Sequence, residues 1–388
     1  MSTGTTPPTV WLIDPISYSG MAYSDVGQIV GLQELGARAL LVGSDSWMLE
    51  PDLVPRVATF RGTHGTSSRL RRGVAYIVSL ARLLTDIARS RPNIVHWQFT
   101  ELPIADVLTM LVIRVLGVRQ VYTAHELLPW TASRHHRWVF ARLYGLMDAV
   151  IVHNEDQRDA IIRGFPVRPS RVHVVPLGDY SLFATPQFPQ VEARALLGLP
   201  ADPPIALFFG TIRPSKGLEV LLEAWALVVE EVPEAILLAT GKPYKGLDTA
   251  KTVAMIRRLG MDNAVRTRFE QVDPAETNTY YRAADVVVLP YHDIGTSGVL
   301  RYAYNSARAV VATAVGEHGS RIVEGQTGYL IPPGNPSALA AVLVDALGER
   351  SNLKSMGEAA HAYAAANFKW LDSAKGLLAI YEDLHRRT

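Results

Sequence analysis

The chain has 388 residues, 48% apolar and 19% charged, with a formal net charge of +1 and no cysteine. That length suits two domains rather than one, and the composition is that of an ordinary globular protein. The near-neutral charge disfavours nucleic acid as a partner, and the absence of thiols excludes disulfides and thiolate metal sites.

Residues 1–8 (Met1-Ser-Thr-Gly-Thr-Thr-Pro-Pro8) have neither the basic nor the apolar run of a secretory signal, so a cytoplasmic location is expected. Strands are predicted at 10–13, 39–42, 94–97, 121–123, 149–152 and 172–175, with helical patterns between most of them. Ser19-Gly20-Met21 follows the first strand as a short glycine turn. Arg69-Leu-Arg71-Arg72 opens a helix whose apolar face is predicted as Leu70, Val74, Ile77, Ala81 and Leu84, with Arg82, Arg89 and Arg91 following. It reads either as an outer helix with a solvated basic face or as a contact for anionic lipid, which Arg134-His-His-Arg137-Trp138 would extend. His96-Trp97-Gln98 ends a strand, where Trp97 either stacks on a bound ligand or anchors the core. The longest apolar stretch, 104–117, contains Asp106 and Arg114 and is too short to span a bilayer. Tyr122-Thr-Ala-His125-Glu126 follows another strand, and Pro176-Leu-Gly178-Asp179 reads as a turn. No ligand spacing for a metal is visible, because the adjacent His135 and His136 diverge on a helix.

The Pro-rich stretch 178–204 lacks periodicity and reads as a linker. Beyond it, strands are predicted at 205–209, 236–239, 286–289, 310–313 and 329–331, again with helices between, and the tail after Asn367 reads as a last amphipathic helix. This alternation predicts an α/β protein of two Rossmann-like, doubly wound parallel-sheet domains facing a central cleft. The expected boundaries are 1–188, 189–368 and a closing helix over 369–388. Ligands of such domains bind at the carboxyl ends of the strands, so the cleft is the expected site.

One segment carries most of the chemistry. Phe208-Phe209-Gly210-Thr211-Ile212-Arg213-Pro214-Ser215-Lys216-Gly217 runs from a buried strand into a helix marked by Leu218, Leu221, Leu222 and Trp225. Glycines allow close backbone approach, a helix start favours anions, and Arg213 and Lys216 supply charge, so the loop suits a diphosphate. It is not a Walker loop, and a solvated surface loop is the plainer alternative. Gly295-Thr296-Ser297-Gly298-Val299 is a second helix start able to offer backbone N–H groups to a phosphate, or simply a helix capped by Thr296 or Ser297.

The second half resembles the retaining, nucleotide-sugar-dependent glycosyltransferases of family four (glycosyltransferases group 1, GT-B fold). The resemblance rests on an ordered set: the diphosphate loop, Ala239-Thr-Gly241, Tyr281-Arg-Ala-Ala-Asp-Val-Val-Val-Leu-Pro290, Gly298-Val-Leu300, Val310-Val-Ala-Thr313 and Gly325-Gln-Thr-Gly-Tyr-Leu-Ile-Pro-Pro-Gly334. It implies transfer of a sugar from a nucleotide-diphosphate donor to an acceptor saccharide, lipid-linked glycan or secondary metabolite, with no cofactor and no metal. It also implies that Arg213 and Lys216 stabilise the leaving diphosphate and that His125 lies near the reacting sugar. Gly20, Gly210, Thr296, Ser297, Gly298 and Val299 are implied donor contacts, and the closing helix is expected to pack on the N-terminal domain. The chain departs from the family pattern at its paired glutamates, Glu-x7-Glu, which fall on Ile294 and Tyr302. Asp293 is the substitute candidate for the first, and Tyr302 occupies the ribose-contact position. This departure keeps two alternatives open: a catalytically degenerate nucleotide-sugar-binding partner of another transferase, and a GT-B sugar-nucleotide epimerase.

Overall fold

The computed structural model describes residues 7–17, 21–47, 49, 52–65, 67–129, 132–183, 189–244 and 247–387. Its contacts divide the chain into two units, 1–178 with 368–388, and 179–367.

The first unit runs β1 (Thr9–Ile13), α1 (Met21–Glu34), β2 (Arg38–Ser44), β3 (Arg56–Phe60), α2 (Arg69–Ser90), β4 (Ile94–Trp97), α3 (Pro103–Val115), β5 (Arg119–Thr123), α4 (Arg134–Leu146), β6 (Ala149–Val152), α5 (Glu155–Gly164) and β7 (Val172–Val174). Its seven strands are parallel in the order β3-β2-β1-β4-β5-β6-β7. β4 and β6 are buried throughout because helices cover both faces, which is why β6 reads as an unbroken apolar run and β4 as one interrupted only by His96. Trp97 is wholly buried and donates its indole N–H to Gln120 Oε1 at 3.4 Å, so of its two readings the core anchor is the correct one.

The second unit runs α6 (Gln190–Leu196), β8 (Ile205–Phe209), α7 (Leu218–Glu231), β9 (Ile236–Thr240), α8 (Thr249–Arg258), β10 (Val265–Arg268), α9 (Pro274–Ala283), β11 (Val286–Leu289), α10 (Gly298–Asn305), β12 (Ala309–Thr313), α11 (His318–Arg321), β13 (Gly328–Ile331), α12 (Pro336–Gly348) and α13 (Arg350–Asn367). Its six parallel strands lie in the order β10-β9-β8-β11-β12-β13. β3 and β10 escape prediction because each is an edge strand, half solvated and interrupted by polar residues.

Two boundaries differ from expectation. The division falls between Gly178 and Asp179 rather than at 188, and the expected linker holds a helix. α6 exposes Val191 and Leu196 and is fastened by polar anchors instead. Arg194 pairs with Asp285 at 2.8 Å and donates to Ala283 O, while Gln190 donates to Asp285 and Ala284 O. A helix held by hydrogen bonds leaves no apolar periodicity to read.

The last helix, α14 (Trp370–Arg386), belongs to the first unit and packs on α1. The packing is possible because α1 presents Gly27 to the indole of Trp370 and, one turn on, Gly31 to the Trp370 carbonyl and the Ala374 methyl. A Cβ on Gly27 would fall inside the indole ring. Gly27→Ala is therefore expected to lower stability by about 1–3 kcal/mol despite the better helix propensity of alanine. A denaturant titration giving an unchanged or raised midpoint would show that Trp370 is not held there.

Candidate functional site

In the second unit the carboxyl end of β8 turns through Gly210 into a short 3-10 turn, Pro214–Lys216, and then α7. Gly217 separates turn from helix at φ +64°, against Pro290 O, where a side chain would clash. This brings Lys216 back over the strand end. It is buried, with Nζ 3.4 Å from Phe209 O and 5.1 Å from the ring centroid of Tyr291. A Cβ on Gly210 would lie 2.8 Å from Lys216 Nζ and 3.3 Å from Val299 Cγ2. The structure thus gathers Gly210, Lys216 and Val299, while Arg213 is half-buried at the start of the turn and close enough to influence Tyr291.

The start of α10 is arranged differently from expectation. Ser297, not Thr296, is the cap, and its Oγ accepts from Leu300 N at 3.2 Å. The Ser297 N–H is already taken, because it donates to Glu317 Oε1. Glu317 also meets Arg301 fork to fork, with Nη1–Oε1 at 2.7 Å and Nη2–Oε2 at 3.0 Å, and both side chains are buried. Burial alone would raise the Glu317 carboxyl, but Arg301 and the Ser297 amide outweigh it and hold it below its ordinary value. Only the N–H groups of Gly298 and Val299 then open the helix without an intrahelical acceptor or this carboxylate. Behind them His318 is wholly buried against Tyr291, ring centroids 5.2 Å apart, and burial pushes it down to about 4.

The two positions lacking family glutamates are both buried. Tyr302 packs between Tyr281 and Tyr180, with centroids at 4.5 and 6.1 Å, and its hydroxyl donates to Phe183 O at 3.5 Å. Ile294 is buried with its carbonyl against Gly316, while Asp293 beside it is exposed. Sequence reading missed Arg301, Glu317, Tyr291 and His318. The available signal was an arginine between Leu300 and Tyr302 in an otherwise apolar helix.

In the first unit, Gly20 lies outside the described residues. His125 is half-buried just beyond β5, and three strand ends converge on it. His153 beyond β6 approaches its Nδ1 at 3.0 Å, and Gln98 beyond β4 approaches its Nε2 at 3.1 Å. His153 Nδ1 lies 2.9 Å from Val175 O, which can only accept, so that nitrogen carries the proton. His153 Nε2 must then accept from His125 Nδ1–H, which leaves His125 Nε2 with a lone pair. The structure sets Gln98 Oε1 3.1 Å from that nitrogen and has Gln98 Nε2 donating to Gln28 Oε1, so a donor for the lone pair requires the Gln98 and Gln28 amides to be exchanged end for end together. Next to this chain, buried His96 bridges Tyr381 O–H at 2.5 Å and Thr123 Oγ1 at 2.7 Å. Burial first, then the neighbouring histidines, lower His125 well below its ordinary value, and burial followed by His153 takes His96 down to about 3.

Two outcomes follow from this geometry. Glu317→Gln strands a buried guanidinium and is expected to cost about 3–5 kcal/mol, whereas the double replacement Glu317→Leu with Arg301→Met recovers most of it; equal stability of all three proteins by urea titration would refute the pairing. For the histidines, the unfolded chain binds protons that the folded one refuses. Stability should be full above about pH 6.5 and decline as the pH falls through the window below it. A 15N-histidine spectrum should show His125 as the neutral Nδ1–H form throughout, and titration near its ordinary value would contradict the network.

Comparison with known proteins agrees with this architecture. Residues 203–349 match the family model described as glycosyl transferases group 1, and residues 29–178 match glycosyltransferase family 4. A D-inositol 3-phosphate glycosyltransferase of Corynebacterium diphtheriae is 30% identical over 241 residues, covering 61% of this chain and 56% of the relative. The chain spans about half the length of the curated relatives it matches. Among solved structures, sucrose-phosphate synthase from Thermosynechococcus elongatus superposes with a TM-score of 0.77 at 19% identity, covering 98% of this chain and 100% of that one. The Anabaena protein HepE in complex with UDP-glucose gives 0.75 at 19% identity, covering 98% and 100%. With two parallel α/β sheets matched in turn by these models, the chain belongs to the group 1 glycosyltransferases of the GT-B fold.

Proposed function

We propose that this protein transfers a sugar from a nucleoside-diphosphate donor to an acceptor hydroxyl with retention at the anomeric carbon. The observation that carries the reading is the buried Lys216 ammonium beside Gly210 and the start of α10. A cation held out of water next to a helix start is poised for an anionic ligand. In this reading Lys216 and Arg213 neutralise charge growing on the departing diphosphate, and the amides of Gly298 and Val299 add to it. The anomeric C–O bond to the diphosphate breaks, a C–O bond to the acceptor forms on the same face, and the acceptor proton leaves with the diphosphate. Side chains and a helix start do the electrostatic work here, so the reaction as proposed uses neither metal nor cofactor. His125 offers its Nε2 lone pair to a hydroxyl of donor or acceptor once the Gln98 amide yields. In this reading Asp293 and Thr296 are donor contacts, Tyr302 keeps the ribose-contact position only if its packing between Tyr281 and Tyr180 opens, and Ser297 contributes its position rather than its N–H.

The relatives' printed names support the donor and acceptor classes: one structure holds UDP-glucose, and the curated relatives are named for an inositol phosphate. We place the acceptor among glycans, glycolipids and secondary metabolites, and the protein in the cytoplasm with peripheral contact to the inner membrane face through the basic start of α2. Ile294 and Tyr302, which lack the carboxylates of the family pattern, favour one further reading, a nucleotide-sugar binder without turnover.

Thermal shift against UDP, GDP, ADP and TDP and their sugars tests this directly. One diphosphate should stabilise the protein, by about 2.7 kcal/mol at a hundredfold excess over Kd. Lys216→Ala should lose that shift and at least about 100-fold of the turnover. Wild-type-like activity in that variant would remove the loop from the mechanism, and nucleotide binding without even slow donor hydrolysis would select the binder.

A further inference from the structure

Helix α3 is built inside out. Its buried side holds Asp106 and Thr109 with Met110 and Ile113, while Ile104, Leu108, Leu111, Val112 and Val115 are exposed, Val115 to 87%. An outer helix of a globular domain ordinarily does the reverse. The polar side stays inward because it is bonded there. Asp106 accepts from the Tyr76 hydroxyl of α2 at 2.8 Å and from Leu102 N at 3.1 Å.

The neighbouring α2 behaves likewise. Most of the stripe predicted as its apolar face points outward, with Leu70 79%, Val74 57% and Ile77 49% exposed and only Leu84 packing on the core, while Tyr76, Ser79, Leu80, Leu83 and Ile87 go inward. Trp138 on α4 is 58% exposed beside α3. Single exposed apolar residues are normal, but a run of them across three adjacent helices marks an interaction surface.

Charge identifies the occupant. Arg71, Arg82, Arg89, Arg114, Arg137 and Arg142 are exposed on these helices. Their only acids are Asp86, half-buried, and Asp106, buried. A second copy docking here by two-fold symmetry would set arginines against arginines. An anionic bilayer satisfies both features, because its interface takes apolar side chains and its phosphates pair with guanidinium groups.

We propose that the outer face of α2, α3 and α4 is a docking surface for an anionic lipid bilayer. The inference rests on and deepens the proposed contact through the basic start of α2, adding an apolar footprint that a solvated basic helix would not need. Binding is measured without turnover, so the two readings fail separately.

The experiment is co-sedimentation of the full chain with phosphatidylcholine vesicles, with and without phosphatidylglycerol. Wild-type protein should bind only the anionic vesicles. Added salt should weaken binding without abolishing it, since screening removes the charge part alone. Leu108→Ser/Val115→Ser and Arg71→Glu/Arg82→Glu should each lose about tenfold or more in vesicle affinity. Both pairs are on the surface, so melting temperature and nucleotide-induced shift should match wild type. Failure of wild type to sediment with anionic vesicles overturns the proposal, as does an apolar double variant that binds like wild type. A wild-type dimer that the apolar variant converts to monomer also overturns it, by giving the face to a second copy.

Discussion

The buried pair of Arg301 and Glu317 fixes the geometry on which the candidate donor site depends. Two charges out of water are costly, and here the cost is offset by paired hydrogen bonds between them. The guanidinium fork meets both carboxylate oxygens, and one of those oxygens also takes the Ser297 amide. The loop after β12 is thereby fastened to the first turn of α10. The Gly298 and Val299 amides, and the methyl of Val299 beside Gly210, are placed by that fastening. The same arrangement withdraws one amide from any ligand, so the anion site is smaller than the helix start alone would suggest. Lys216 compensates by being inside rather than at the rim.

The first unit solves its positioning problem with neutral groups. β4, β5 and β6 are adjacent and parallel, so their carboxyl ends deliver Gln98, His125 and His153 to one place. No ion pair is needed to orient His125. A single carbonyl, that of Val175, sets the proton on His153, and each later partner follows from the one before. Burial keeps the rings neutral, so each ring has one donor and one acceptor to place. The two units thus use opposite means, a charged clasp in one and an uncharged relay in the other.

Much of this was legible in the sequence, and what was not has physical reasons. The parallel sheets announced themselves because strands covered on both faces are apolar over most of their length. The basic loop after β8 stood out because glycine, arginine and lysine cluster between a buried strand and a helix, although that spacing also suits a solvated surface loop. Edge strands β3 and β10 carried no such run, and α6 is held by Arg194 and Gln190 rather than by an apolar stripe. The Arg301–Glu317 clasp joins residues in separate elements, and nothing local distinguishes its members from surface charges. Equally hidden was the relay, since a glutamine and two histidines at three strand ends meet only after the strand order is known.

The outward turn of α2 and α3 shows where periodicity stops being informative. A pattern of period 3.6 says that a helix has two unlike faces. It does not say which one meets the sheet. In α2 the choice is settled by Tyr76, Leu80, Leu83 and Ile87, a second stripe about as apolar as the first and able to reach Asp106 through the Tyr76 hydroxyl. In α3 it is settled by Asp106 itself, which finds buried donors only by facing inward. With two candidate stripes on one helix, the one offering hydrogen bonds to an otherwise stranded carboxyl goes inside, and the other is left on the surface.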